Sequence, residues 1–187
     1  MKYIRNNKNS NSDYNLVFIY EDKLTDISKE IGKGTVYDDF KSAMKQKIVS
    51  GKVGTTNVFS SKVYDRNYIF IGLGEKDKLD IQRFEKCLNS ALKIINNYNI
   101  SSISIDLTNI KIKNYDHIKG SIIEIEKTQY DYKNSKKLTL KVCSLNVSSS
   151  ITASKLNNIK ESSIAIANGL NTARRLGDTP PNICHPT

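Results

Sequence analysis

The residues in this sequence that could do chemistry are few and poorly placed for it. Gly72-Leu73-Gly74 follows an apolar run and precedes a helical pattern, the position of a dinucleotide-binding loop whose glycines let the backbone approach a pyrophosphate. The third glycine of that fingerprint would fall at Asp77, and a carboxylate there would face the phosphates it should hold. The run therefore reads as a tight strand-to-helix turn. Gly32-Lys33-Gly34-Thr35 and Gly51-Lys52-Val53-Gly54 carry glycine and lysine without the GxxxxGK[ST] spacing of a phosphate loop, and read as helix-ending turns. His117 and His185 are the only histidines, and neither lies in HExxH or a histidine-plus-carboxylate pattern. A triad built on His117 stays open, because triad partners need not be sequence neighbours, but no GxSxG elbow accompanies it. Asp38-Asp39 and Glu124/Glu126 read as solvated helix faces or strand edges. Cys87, Cys143 and Cys184 form no CxxC pair and read as inert thiols of a reducing compartment. The residues alone nominate no catalytic, cofactor or metal site.

The elements that would have to position such residues are easier to read. Leu16 to Tyr20 is a short apolar run of buried-strand type. Asp26 to Ile31 resembles one or two helical turns closed at Gly32, and Tyr37, Phe40, Met44 and Ile48 share a helical face that ends before Gly51. Asn57-Val58-Phe59 and Tyr68 to Gly74 read as strands separated by the turn-like Asp65-Arg66-Asn67. Ile81, Phe84, Leu88, Ala91, Leu92 and Ile95 define an amphipathic helix, and Ile103, Ile105 and Leu107 alternate as a half-buried strand. A helix is expected over Tyr115 to Thr128, a strand over Leu138 to Leu145, a polar linker over Asn146 to Ser154 and a long helix from about Asn158. On that last helix Ile159, Ile166, Leu170 and Ala173 form the face expected to dock on the core. This alternation predicts an α/β fold, a layered sheet with helices on both faces.

Composition sets the outer bounds. With 187 residues, 38% of them hydrophobic, the chain can bury one substantial core. A mean hydropathy of −0.47 and the absence of a long apolar run exclude a transmembrane helix, and no membrane partner is expected. Met1 to Ser10 has a charged start but no apolar secretory core, so the expected location is cytoplasmic. Lys and Arg total 29 against 19 Asp and Glu, for a formal charge of +10. The lysines are scattered among asparagines and isoleucines, the imprint of an AT-rich coding bias rather than of a dedicated nucleic-acid face.

The last stretch is the most specific. Asn171-x-Ala173-Arg174-x-Leu176 on a helix, followed by Thr179-Pro180-x-Asn182-x-x-x-Pro186, resembles the domain-junction signature of the leucyl aminopeptidase family. Upstream, Gly51-Lys52-x-Gly54, Tyr68 to Gly74 and Tyr130-x-Tyr132-Lys133-x-Ser135-Lys136-Lys137 occur in that family's order, so the resemblance spans roughly residues 14 to 187. Gly177-Asp178 and His185 depart from the usual pattern. The resemblance implies a macro-domain-like N-terminal domain at 14–153, a loose arm at 1–13, and a linker helix with junction segment at 154–187. It implies that this chain is non-catalytic and that a catalytic domain C-terminal to Thr187 carries two divalent metals, Mn or Zn, and removes N-terminal amino acids from peptides. The cofactor list of this chain itself is then empty, and its partners are that domain and further copies in a homo-oligomer, a hexamer in the family. It also implies that the segment after Gly177 is weakly anchored without its second domain. Two alternatives remain: a nucleic-acid-binding module, which some bacterial members resemble in using this region on DNA, and a macro-domain-like binder of a nucleotide or ADP-ribose.

If the basic excess is compositional, binding to a DNA duplex is weak and indifferent to sequence, and falls steeply between low and physiological salt. Fluorescence anisotropy across a salt series checks this; tight, sequence-selective binding at physiological salt would contradict it.

Overall fold

The computed structural model describes residues 1–5, 12–22, 35–61, 66–108, 110, 112–128, 130 and 140–179. Among these, six strands form one sheet: β1 (Lys2–Arg5), β2 (Tyr14–Tyr20), β3 (Thr56–Ser61), β4 (Arg66–Gly74), β5 (Ser102–Asp106) and β6 (Val142–Asn146), in the order β1-β6-β5-β2-β4-β3. All neighbours are parallel except β3, which pairs antiparallel with β4. The helices are α1 (Thr35–Lys45), α2 (Ile81–Asn97), α3 (Asp116–Lys127) and α4 (Ala153–Asp178).

The pleat of the central strands divides the core. Leu16, Phe18 and Tyr20 on β2, Ile69 and Ile71 on β4, Ile103 and Ile105 on β5, and Cys143 and Leu145 on β6 pack with α2 and α3 through Phe84, Leu88, Leu92, Ile118, Ile122 and Ile125. Ile19, Tyr68 and Phe70 turn the other way, onto Phe40 and Ala43 of α1 and Val49 beyond it. Both faces of β2 and β4 are therefore covered, which explains why these strands read as continuous apolar runs; β5, expected to be half-buried, is buried at Ile103, Ser104 and Ile105 alike. Asp80 opens α2 by accepting from the Arg83 N–H at 2.7 Å, and Thr152 opens α4 by accepting from the Lys155 N–H at 3.2 Å.

Four expectations are corrected besides the burial of Glu124 described below, and Arg66 and Asn67, expected in a turn, lie in β4. The arm at 1–13 is not loose where it is described: Lys2–Arg5 pairs with Val142–Leu145, and the Asp13 carboxylate accepts from the Ser101 and Ser102 N–H groups at 3.2 and 2.9 Å and from the Ser101 hydroxyl at 2.7 Å. Those bonds, the Ser101 hydroxyl first, hold its pKa below the usual carboxylate value. The strand expected over Leu138 to Leu145 runs from Val142 to Asn146; Leu138 and Thr139 lie outside the described residues. The linker is shorter than expected, because Val147 and Ile151 are buried in the core and α4 already starts at Ala153. The docked face of α4 is the fourth, taken up with the site below. The helix expected at Asp26 to Ile31 lies outside the described residues, as does Cys184. Cys87 and Cys143 are buried free thiols, both with raised pKa through burial.

His117 is buried on α3 and its Nδ1 has no partner among the described residues. Burial outweighs the neighbouring Asp116 charge and lowers its pKa to about 4. An unfolded histidine binds a proton near pH 6.5, so between pH 6.5 and 4 the unfolded chain is the more protonated state and stability falls as pH falls, by up to about 3 kcal/mol. Urea unfolding at pH 7.5 and 5 should show this loss, and a His117→Leu chain should show a smaller difference between the two pH values.

Candidate functional site

Three places were open to function: the Gly72–Gly74 turn, the polar surface between α2 and α3, and the junction helix. At the first, space for a phosphate is already filled by protein. The Gly72 N–H donates to the Thr55 carbonyl at 2.8 Å, the Gly54 N–H to the Gly72 carbonyl at 3.0 Å, and the Gly74 N–H to the Gly51 carbonyl at 2.7 Å. A Cβ on Gly72 would collide with the Lys52 carbonyl oxygen and Thr55 Oγ1, one on Gly74 with the Val53 side chain, and one on Gly51 with the Glu21 backbone. Gly74 also has φ +77°, a conformation that glycine adopts without penalty. The glycines serve backbone contact between β2, β4 and the 51–55 loop. No nucleotide pocket opens beside them among the described residues.

Between α2 and α3, Glu124 is buried, correcting its reading as a solvated residue. Its carboxylate accepts from Asn89 Nδ2 at 2.6 Å and pairs with the Lys127 ammonium. Close by, Gly120 leaves room for Glu85, whose pKa is raised by partial burial and then by the Glu124 charge. This is an interhelix clasp: a buried carboxylate satisfied by an amide and an ammonium. Among the described residues, no three His, Cys, Asp or Glu side chains gather to hold a metal ion, so the donor set for the two divalent metals is not found there.

The junction helix is different because its two halves have different surroundings. α3 and α4 run side by side in the same direction: Lys155 Nζ lies 4.2 Å from the Tyr115 ring centroid at one end, and Asn171 Nδ2 donates to the Glu126 carbonyl at 3.1 Å at the other. Leu156, Ser163 and Ala167 are buried along the shared face, with Ile159 and Ile164 partly so. Small side chains at 163 and 167 let the helices approach closely, so the docked face lies about a fifth of a turn away from the expected Ile166, Leu170, Ala173 face. Of that expected face only Ile159 packs on the core. At 26 residues against 12, α4 outruns α3 by simple length. From Asn168 to Asp178 every residue except Asn171 is exposed. Ile166, Leu170 and Leu176 are 40%, 43% and 56% exposed.

The signature residues divide along the same line. Asn171 closes a free carbonyl at the end of α3, as a C-terminal cap does. Ala173, Arg174 and Leu176 face solvent. Thr179 Oγ1 donates to the Arg175 carbonyl at 2.6 Å as the helix ends, while Asp178 accepts from the Tyr130 hydroxyl at 2.6 Å. Sequence reasoning had no signal for that last bond. Pro180, Asn182 and Pro186 lie outside the described residues.

Residues 16–138 match the family model of the cytosol aminopeptidase family, N-terminal domain. The chain belongs to this family. A probable cytosol aminopeptidase of Buchnera aphidicola from Schizaphis graminum is 32% identical over 155 residues, covering 76% of this chain and 30% of the relative. A second, from Buchnera aphidicola of Baizongia pistaciae, is 27% identical over 186 residues, covering 91% of this chain and 37% of its own. The chain thus spans about a third of the length of the curated cytosol aminopeptidases it matches. Among solved structures, a tomato leucine aminopeptidase mutant superposes with TM-score 0.74 at 13% identity, over 99% of this chain and 39% of that one. The bottromycin maturation enzyme BotP gives 0.64 at 12% identity over 91% and 34%. At such identities the superpositions establish the shared α/β fold of this cytosol aminopeptidase N-terminal domain.

The glycine contacts make a contrast that stability measurements can read. Gly72→Ala should destabilise by at least about 3 kcal/mol, since backbone atoms must move to admit the methyl group. Gly169→Ala, on the exposed part of α4 with nothing within 4 Å of a new Cβ, should be neutral or stabilise by up to about 1 kcal/mol. Denaturant midpoints of the two variants check both signs.

Proposed function

We propose that this chain serves as the non-catalytic N-terminal domain of a metal-dependent leucyl aminopeptidase, with the peptide-bond hydrolysis carried out by the portion of the family's proteins that the match does not cover. The observation that carries the reading is the split character of α4. Its first half is bound into the domain, whereas its second half presents Ile166, Leu170, Ala173 and Leu176 to solvent. The apolar residues of that overhang are what a following domain would bury, and two of them, Ala173 and Leu176, belong to the family signature. A contiguous apolar strip on an otherwise polar surface marks an interaction site.

In this reading the chain supplies scaffold and junction. Asn171 fixes the departure angle of α4 by tying it to the end of α3, and the Tyr130–Asp178 bond steadies the overhang. In this reading Mn or Zn is held by the catalytic portion, and no step of hydrolysis is assigned to this chain. Action in the cytoplasm, supported by the name cytosol aminopeptidase that the relatives carry, and assembly into a homo-oligomer, which rests on the family resemblance alone, complete the proposal.

The isolated chain should show no turnover of leucyl amides with added Mn²⁺ or Zn²⁺. Fused in place of the corresponding N-terminal portion of the Schizaphis graminum Buchnera relative, it should support metal-dependent hydrolysis. Leu170→Glu together with Leu176→Glu should reduce that activity by roughly tenfold or more, the scale of losing one or two buried leucines. Chelator-sensitive turnover that tracks the isolated chain through purification would overturn the proposal.

A further inference from the structure

Among the described residues β1 is an outer strand of the sheet, a short one that carries Lys2 and Arg5. The Lys2 N–H donates inward to the Lys141 carbonyl at 3.0 Å. Because successive residues of a strand alternate the direction of their backbone groups, Tyr3 and Arg5 direct their N–H and C=O away from β6. Met1, Lys2, Ile4 and Arg5 are exposed. Beside this edge, on the α4 side of the sheet, lies a groove of about 70 Å³ between Tyr3, Leu145, Ala153 and Leu156, rimmed by Asn157, Arg5 and Lys160. Its walls are apolar, its rim carries two cations and no carboxylate lines it among the described residues. Ile4, which also borders the groove, stands exposed along the edge beside Lys2.

We propose that the β1 edge and this groove form a strand-addition site for an acidic, extended segment of a partner polypeptide. Backbone pairing would come from Tyr3 and Arg5, as in other sheets that recruit a peptide to a free edge. Alternate side chains of the added strand would point to the two faces. One short branched aliphatic group fills the groove against Leu156 and Ala153, and its neighbour covers Ile4. Acidic residues flanking this pair meet Arg5 and Lys160 on one face and Lys2 on the other.

The charge chooses the occupant. A second copy of the chain would set two edges carrying Lys2, Arg5 and Lys160 against each other, in chains that each have a formal charge of +10, and like charges brought together are unfavourable. A partner with carboxylates removes that conflict and is drawn in by the overall positive field. The site lies at the first half of α4, away from the exposed Leu170 and Leu176, so it stands or falls independently of the junction reading.

The probe is a blocked peptide with a valine-isoleucine centre flanked by glutamates, titrated into the full chain at physiological salt. It should bind with protection of the Tyr3 and Arg5 amides from hydrogen exchange. Methylating alternate peptide nitrogens so that they cannot donate, or exchanging the glutamates for lysines, should weaken binding at least tenfold. Asn157→Trp, which fills the groove from an exposed helix position, and Lys160→Glu should each do the same while leaving the circular dichroism spectrum unchanged. The proposal is overturned if the methylated peptide binds as well as the parent, or if protection appears elsewhere. It is equally overturned if an oligothymidylate of matched charge competes with the peptide and responds identically to Asn157→Trp, since the surface would then be a general polyanion contact. Dimerisation through β1, seen as concentration-dependent protection of Tyr3 and Arg5 without peptide, would assign the edge to a second copy and likewise refute it.

Discussion

The contact on which the rest of the sheet depends is the meeting of backbones at Gly51, Gly72 and Gly74. Four main-chain hydrogen bonds join the end of β4 to the 51–55 loop and to Glu21 just beyond β2, at 2.7 to 3.0 Å. Three segments can come this near only where no Cβ intervenes. The consequence spreads outward. β4 takes an extra residue at Leu73, so that Ile19 pairs with Gly72 and Tyr20 with Gly74, and such a bulge bends the strand and sharpens its twist. The same loop delivers the chain into β3, the antiparallel edge. Glycines arranged like a ligand loop can thus be consumed entirely by the fold.

A second constraint acts at the opposite end of β2. Asp13 gathers the start of β5 through Ser101 and Ser102, while the Asn67 amide donates to the Asp13 carbonyl at 3.1 Å, tying in β4. One carboxylate satisfies backbone donors that would otherwise be left at strand beginnings. Fixing β2 at both ends leaves its apolar middle to determine packing on each face. The helices then divide by the size of the surface offered: α1 against the Ile19, Tyr68 and Phe70 side, α2 and α3 against the larger one.

What could be read from the residues, and what could not, follows from these contacts. β2, β4 and α2 were legible because their apolar patterns are strong and local. β1 was not, because Lys2-Tyr3-Ile4-Arg5 has the charged composition of an edge strand and its partner lies far along the sequence. The face of α4 was misread for a related reason. Pattern analysis weights large apolar residues such as Ile166 and Leu170, whereas the helix docks through Ser163 and Ala167, whose value is closeness. The junction was visible only as a family signature; neither the Asn171 bond to Glu126 nor the Tyr130 bond to Asp178 has a local sequence signal. Glu124 illustrates the same limit, since its burial depends on Asn89 arriving from another helix.

The pairing of β1 with β6 also sets an order on the birth of the molecule. β1 is made before the other described strands and has no neighbour among them until Val142 to Asn146 has been made. At cellular rates of about 5–20 residues per second, that is on the order of ten seconds of synthesis. During this interval β2, β4 and β5 can associate, but a basic strand with an unpaired edge on both sides trails from the nascent chain. Closing so long a loop is among the slower steps a small domain takes. Translation speed through the segment before β6 therefore becomes a determinant of yield, and slow codons there would lengthen the exposure of a strand that the finished protein holds in place.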